Sequence, residues 1–190
     1  MTGESHRKKG NIMETERLIL RRWRESDAED LYKYASDPAV GPIAGWPVHQ
    51  SIEESRKIIR TVFCGEEAYA ICLKQDNRAV GAIELKLRGR SDLIENDDEC
   101  ELGFGLGKSF WGQGLMPEAV HEMLRHAFQD LGMNKVWCGY YDGNVNSKRV
   151  QEKTGFRYRR TIRDKDVPLL QEKRTEHINC ITKEEWLSDK

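Results

Sequence analysis

The segment whose residue types and spacing carry the most chemistry is Glu101-Leu-Gly-Phe-Gly-Leu-Gly-Lys-Ser-Phe-Trp-Gly-Gln-Gly-Leu-Met-Pro-Glu118. It reads as a strand, Cys100 to Leu106, passing through a glycine-rich turn into the start of a helix. A helix start leaves backbone N–H groups without partners and carries partial positive charge, so it attracts anions. Gly112 and Gly114 would let a phosphate approach that backbone closely. The chemistry expected here is the holding of a phosphorylated cofactor by main-chain amides.

Two nucleotide loops fail against this segment. The Walker pattern needs a glycine five residues before Gly107-Lys108, and that residue is Leu102. The Rossmann fingerprint belongs at the first strand of a βαβ unit, whereas Gly103, Gly105 and Gly107 fall largely within a strand that follows an antiparallel meander.

Phe110-Trp-Gly-Gln-Gly-Leu-Met-Pro-Glu-Ala119 instead resembles the acetyl-CoA pyrophosphate loop of the GNAT acetyltransferases, Q/R-x-x-G-x-G/A. The resemblance is to the W-G-K/Q-G form of the ribosomal-protein N-acetyltransferase (RimJ/RimL-like) branch. Three further segments agree in order. Glu16 to Arg21 is similar to the opening strand, Asn144 to Phe156 to the N-x-x-S-x-R-V-x-E-K-x-G-F signature, and Thr182 to Trp186 to the closing T-x-E-E-W. Together they cover residues 14 to 187.

The resemblance implies an acetyl-CoA-dependent N-acetyltransferase that moves an acetyl group to a primary amine by direct attack in a ternary complex, with no metal. The acceptor is a protein N-terminus or a small molecule such as a polyamine, amino acid or aminoglycoside. A non-catalytic acetyl-CoA sensor is the competing class. Backbone amides at Gly112, Gln113, Gly114, Leu115 and Met116 are implied on the pyrophosphate. Those of Phe104 and Leu106 are implied on the pantetheine and the thioester oxygen, where an N–H also stabilises an oxyanion. Asn144 is implied on the pantetheine arm, or it caps a short helix; Ser147 lies near the sulfur, or is a first-turn polar residue. Trp111 and Met116 depart from the general loop pattern. Gln151 stands where many members carry a tyrosine acid, so Ser147 or water is left to protonate the leaving thiolate. Glu101 is the candidate general base, with Glu84 and Glu99 as rivals and a structural ion pair as its plainer role.

These groups need a scaffold, and the pattern supplies one. Leu18 to Leu20 suits a strand, and capping boxes at Ser26 to Glu29 and Ser51 to Glu54 open two helices. Residues 68 to 73 and 80 to 87 form a hairpin, and a polar connection over 88 to 99 leads to the strand at 100. Met116, Ala119, Val120, Met123, Leu124, Ala127, Phe128 and Leu131 recur at helical spacing, giving a helix over Pro117 to Leu131 stopped by Gly132. On that helix His121 and His126 are expected to face solvent. A strand at 136 to 138, a helix at 147 to 153 and strands near 156 to 162 and 177 to 181 follow. Trp137, Tyr140 and Tyr141 are expected in the core, and the charged runs 95 to 101 and 157 to 165 in solvent. The class is α/β (α+β): a mixed, mostly antiparallel sheet of about six to seven strands flanked by about four helices.

Length fits one domain over residues 13–190, preceded by a disordered N-terminal extension over 1–12. With 31 basic and 32 acidic residues there is no net positive field to suggest nucleic acid or a membrane surface. No apolar run approaches the roughly 20 residues of a membrane span, and no signal core follows the N-terminal basic residues. Five scattered cysteines read as free thiols, which with the rest suggests a cytoplasmic protein. The sequence leaves a homodimer open.

Overall fold

The structure, a computed structural model, describes residues 12–188. The extension expected over 1–12 lies outside the described residues except for Ile12. One sheet of eight strands organises the described residues, in the order β1-β2-β3-β4-β5-β6-β8-β7. The strands are β1 (Met13–Glu14), β2 (Leu18–Arg22), β3 (Ala68–Leu73), β4 (Ala79–Lys86), β5 (Glu99–Leu106), β6 (Lys135–Tyr141), β7 (Arg157–Val167) and β8 (Glu172–Thr182). Neighbours are antiparallel except β5 and β6, which run parallel. Six helices accompany them: α1 (Ala28–Ala35), α2 (Gly41–Ala44), α3 (Ile52–Thr61), α4 (Leu115–Arg125), α5 (Val145–Lys153) and α6 (Lys183–Ser188).

The counts exceed expectation by one strand and two helices for local reasons. Met13–Glu14 adds a two-residue edge strand. Within the expected glycine- and proline-rich loop, Gly41–Ala44 makes one helical turn, ended by Gly45 at φ 95°. Thr182 and Glu185 form a reciprocal capping box: the Glu185 amide donates to Thr182 Oγ1 at 3.2 Å, and the Thr182 amide to Glu185 Oε2 at 2.9 Å. The closing T-x-E-E-W is therefore a helix start.

Of the box expected at Ser51 the cap is present, the Glu54 amide donating to Ser51 Oγ at 3.1 Å, but the return bond shifts by one residue: Glu54 Oε2 accepts from the Gln50 amide at 2.6 Å. The one expected at Ser26 is not. Asp27 takes the capping role, accepting from the Arg24 amide at 2.8 Å while Arg21 grips both its oxygens at 2.8 Å. A buried arginine needs a buried carboxylate, and that demand outweighs the serine's preference.

The period-2 pattern of the strands sorts the core. On one face Leu18, Leu20, Ile71, Ile83, Leu85, Leu102 and Val136 meet the α4 stripe of Val120, Met123 and Leu124, all essentially excluded from solvent. Each such side chain contributes on the order of 1.5–3 kcal/mol. On the other face, at the β2–β4 end, Ala70, Cys72 and Ala79 lie under Trp23, which bridges to the α1–α3 cluster of Leu31, Ala35 and Ile59. The remainder of that second face, over β5, β6 and β8, carries charged groups.

The long helix expected to Leu131 is α at Leu115–Arg125 and then a π turn at His126–Asp130. The wider turn swings His126 inward. It is 1% exposed, with Nε2 at 2.8 Å from Glu67 and Nδ1 at 2.9 Å from Asp130, so the expected solvent-facing position is wrong.

Candidate active site

β5 and β6 share three residue pairs, Glu99 with Lys135, Cys100 with Val136 and Glu101 with Trp137, and then part. Both strands continue, β5 to Leu106 and β6 to Tyr141, with a gap between them. Antiparallel pairing uses alternate residues, and the Gly107 amide donates to Val80 O at 2.8 Å. Gly105, Gly103 and Glu101 therefore share the β4 ladder, while Phe104 and Leu106 turn their N–H and C=O groups to the gap. The Leu106 carbonyl accepts from Trp111 Nε1 at 2.8 Å. The Phe104 and Leu106 amides are left for another acceptor.

That bond also explains Trp111 at a position where the general loop has Gln or Arg: the indole ties the turn back to β5. From there the chain reverses through Gly112 at φ 74° and Gly114 at φ 76°, left-handed conformations that cost other L-residues roughly 1–2 kcal/mol. Gly114 is the N-cap of α4. A Cβ built on Gly112 would meet nothing within 4 Å. Arg17 braces the turn from outside, its Nη1 donating to Gln113 O at 2.9 Å and its Nε to Glu118 Oε2 at 2.7 Å. Burial works against the Glu118 charge, but bonds from Thr15 and Arg17 outweigh it and hold its pKa below the ordinary range.

A cleft of about 410 Å³ joins these parts. Of the residues singled out by sequence, Phe104, Leu106, Gly112, Gly114, Leu115, Met116, Asn144 and Ser147 line it; Gln113 does not, its side chain folding back to Ser109 O at 3.0 Å. Asn144 caps α5, accepting from the Ser147 amide at 3.2 Å, and its Nδ2 reaches Ile43 O in α2 at 3.4 Å. Sequence reasoning missed two groups here. α2 with Trp46 forms the far wall, and Arg149 and Lys153 bring positive charge with no ion-pair partner among the described residues. A wall built from one turn gives no periodic signal, whereas the two cations lie within the quoted α5 signature.

Glu101 does not line that cleft. It lies three residues from Phe104, an odd step, so its side chain is on the opposite face of the sheet. There it lines a second cavity of about 490 Å³, with Lys86, Tyr141, Lys165 and Glu176. Lys86 Nζ donates to Glu101 Oε1 at 2.9 Å. Burial disfavours the Lys86 charge, but Glu101 overcomes this and raises its pKa. Gly103, Gly105 and Gly139 place no side chain over the gap on this face, and a Cβ on Gly139 would come within 2.5 Å of Glu176 Oε1. Glu176, buried and 2.7 Å from Lys165 Nζ, is thus a carboxylate at the gap that strand pattern did not single out.

The rival carboxylates separate. Glu99 was expected in a solvated run, yet it is buried. Burial disfavours its charge, but bonds from Lys135, Trp137, Asn96 and the Glu95 amide bring its pKa down to about 2, a poor base. Burial pushes the Glu84 carboxyl above its ordinary range. Trp137, Tyr140 and Tyr141 are half-buried rather than core; Arg174 lies 5.3 Å over the Tyr141 ring, which faces the second cavity. All five cysteines are free thiols. Burial pushes Cys72 and Cys180 to about 11 and Cys100 to about 12, which unsuits them as nucleophiles. Among the described residues no helix is long and apolar enough to cross a membrane.

Residues 17–157 match the family model of the acetyltransferase (GNAT) domain. The chain is 25% identical over 155 residues to the uncharacterized N-acetyltransferase p20 of Bacillus licheniformis, an alignment covering 79% of this chain and 84% of that one. Its fold is similar to the crystal structure of a GNAT-family acetyltransferase from Bacillus anthracis, with TM-score 0.80, 22% identity and coverage of 92% and 99%. It is also similar to ribosomal-protein-S5-alanine acetyltransferase from Vibrio fischeri, with TM-score 0.70, 16% identity and coverage of 93% and 98%.

Proposed function

The chain belongs to the GNAT acetyltransferase family, and from that premise we propose that its residues 13–190 form one domain that transfers the acetyl group of acetyl-CoA to a primary amine. One observation carries the reading: the gap-facing amides of Phe104 and Leu106, the Gly112–Gly114 turn and Ser147 border a single cleft. In the proposed complex the pyrophosphate lies on the amides from Gly112 to Met116 at the positive end of α4. Arg149 and Lys153 attract the remaining phosphate charge. The pantetheine arm runs beside Phe104 and Asn144, and the thioester oxygen accepts from the Leu106 or Phe104 amide, which then steadies the oxyanion.

The amine approaches from the other face, past Glu101, through the glycine-lined gap. It must be neutral to attack, and Glu101, directly or through water, takes its proton. Nitrogen forms the C–N bond, the C–S pair leaves on sulfur, and Ser147 Oγ supplies the proton that makes the thiol. The acceptor class is a protein N-terminus or a small amine; a protein acceptor is favoured by the Vibrio fischeri neighbour, which is named for acetylating an alanine of ribosomal protein S5. Free-thiol release from acetyl-CoA over a panel of N-terminal peptides, polyamines, amino acids and aminoglycosides tests this. Release with at least one amine is expected; acetyl-CoA binding with no release from any would leave a sensor.

A further inference from the structure

Gln151 occupies the place where a tyrosine acid is expected in the resembling family, and an amide gives up no proton. Its surroundings assign it other work. The side chain is fully buried. Its Nε2 lies 3.2 Å from Gly139 O and 3.1 Å from Ser147 Oγ, and its Oε1 lies 2.9 Å from Asn179 Nδ2. A backbone carbonyl only accepts, so the group turned to Gly139 must be the NH2 end. The same NH2 faces Ser147, so Ser147 Oγ is the acceptor there. The Gln151 carbonyl in turn requires the NH2 end of Asn179, which is 4% exposed and whose own Oδ1 has no hydrogen-bond partner.

Every orientation in this chain is thus set by the Gly139 carbonyl. Among the described residues Gln151 is the one hydrogen-bond partner of Ser147 Oγ. An oxygen that accepts from within must point its own hydrogen elsewhere, and Ser147 lines the cleft. We propose that Gln151 and Asn179 are a positioning pair that turns the Ser147 hydroxyl hydrogen toward the leaving sulfur. The inference rests on the acetyl-transfer reading. Ser147 passes its proton to the thiolate and recovers one from cleft water, while the proton shed by the amine leaves by Glu101. The net change is amine plus acetyl-CoA to amide plus CoA thiol.

The test is a double-mutant cycle on the full chain with its best amine, reading kcat, the KM for acetyl-CoA and thermal melting for Ser147→Ala, Gln151→Met and the pair. Each single variant is expected to lose about tenfold in kcat with KM within about twofold, since water replaces the oriented hydroxyl poorly. The pair should be no slower than Ser147→Ala alone, because a misdirected hydroxyl and a missing one are the same defect. Multiplying losses, or a Gln151→Met variant at full kcat, would overturn the proposal. If Gln151→Met melts early, Asn179→Ala replaces it with the same expectation: slower alone, without effect when Ser147 is already alanine. A wild type that releases no thiol with any amine overturns the acetyl-transfer reading and this proposal with it; an active wild type with multiplying losses overturns the proposal alone.

Discussion

Lys86 Nζ donates to Glu101 Oε1 at 2.9 Å, at the last residue pair before β5 and β6 separate. The pair stands at the mouth through which the amine is proposed to pass, so the lysine can orient the carboxylate without occupying the gap. Glu101→Gln should keep acetyl-CoA affinity and lower the rate at neutral pH by about a hundredfold, with partial recovery at higher pH as the amine deprotonates unaided. Rate profiles against pH, with calorimetric binding as the control, measure this. Unchanged turnover and profile would shift the role to Glu176 across the gap, or to water.

Gly112 is a cleaner probe of the turn than Gly114. A Cβ at 114 would lie 3.5 Å from Arg17 Nη2, which could neutralise an added carboxylate, whereas at 112 it faces open space. Gly112→Asp places negative charge where the pyrophosphate should sit, and acetyl-CoA affinity should fall at least about a hundredfold, roughly 2.7 kcal/mol, with the fold intact. Micromolar affinity by calorimetry would remove the turn from the binding site.

Trp111→Phe deletes the bond to the Leu106 carbonyl while keeping most of the ring packing. Loss of one such bond is worth about 1 kcal/mol, so the KM for acetyl-CoA should rise by about fivefold with a smaller effect on kcat. A variant equal to wild type in both constants would mean that the turn holds its shape without the indole.

Protonation of His126 should register in stability. Hydrogen bonding to Glu67 raises its pKa, burial opposes, and Asp130 adds to the rise. A pKa higher in the folded chain gives stability that is fully present below the unfolded value of about 6.5 and lost as pH rises through the folded value. The melting temperature of wild type should therefore exceed that of His126→Gln by more at pH 5.5 than at pH 8.5. An equal gap at both would mean that this charge does not couple to folding.

The parts legible in the sequence are those held by local rules. Strand alternation around Ile83 and Leu85, the stripe from Met116 to Phe128 and the glycines at 112 and 114 each report on their own neighbourhood, and the fold and the turn follow from them. What the sequence concealed depends on partners far along the chain. His126 is turned inward onto Glu67, a partner 59 residues away. Glu99 reads as one more acid in an acidic run until Lys135 and Trp137 close on it. Glu101 and Phe104 look like neighbours in one site; their odd spacing puts them on opposite sides of the sheet, and what the sequence hid is that each side carries its own cavity. Glu176 gave no signal because its importance comes from Gly139, a residue with no side chain, on the adjoining strand.

The parting of β5 from β6 has a mechanical consequence. The sheet is two plates, β1 to β5 and β6 with β8 and β7, riveted by three residue pairs. Rotation of one plate on the other strains that short seam and leaves the long ladders on either side intact. Any molecule laid in the gap with an amide of its own acts as a splint, lending the seam a stiffness the chain does not supply. Amide exchange from Val136 to Cys138 would report whether the splint is in place.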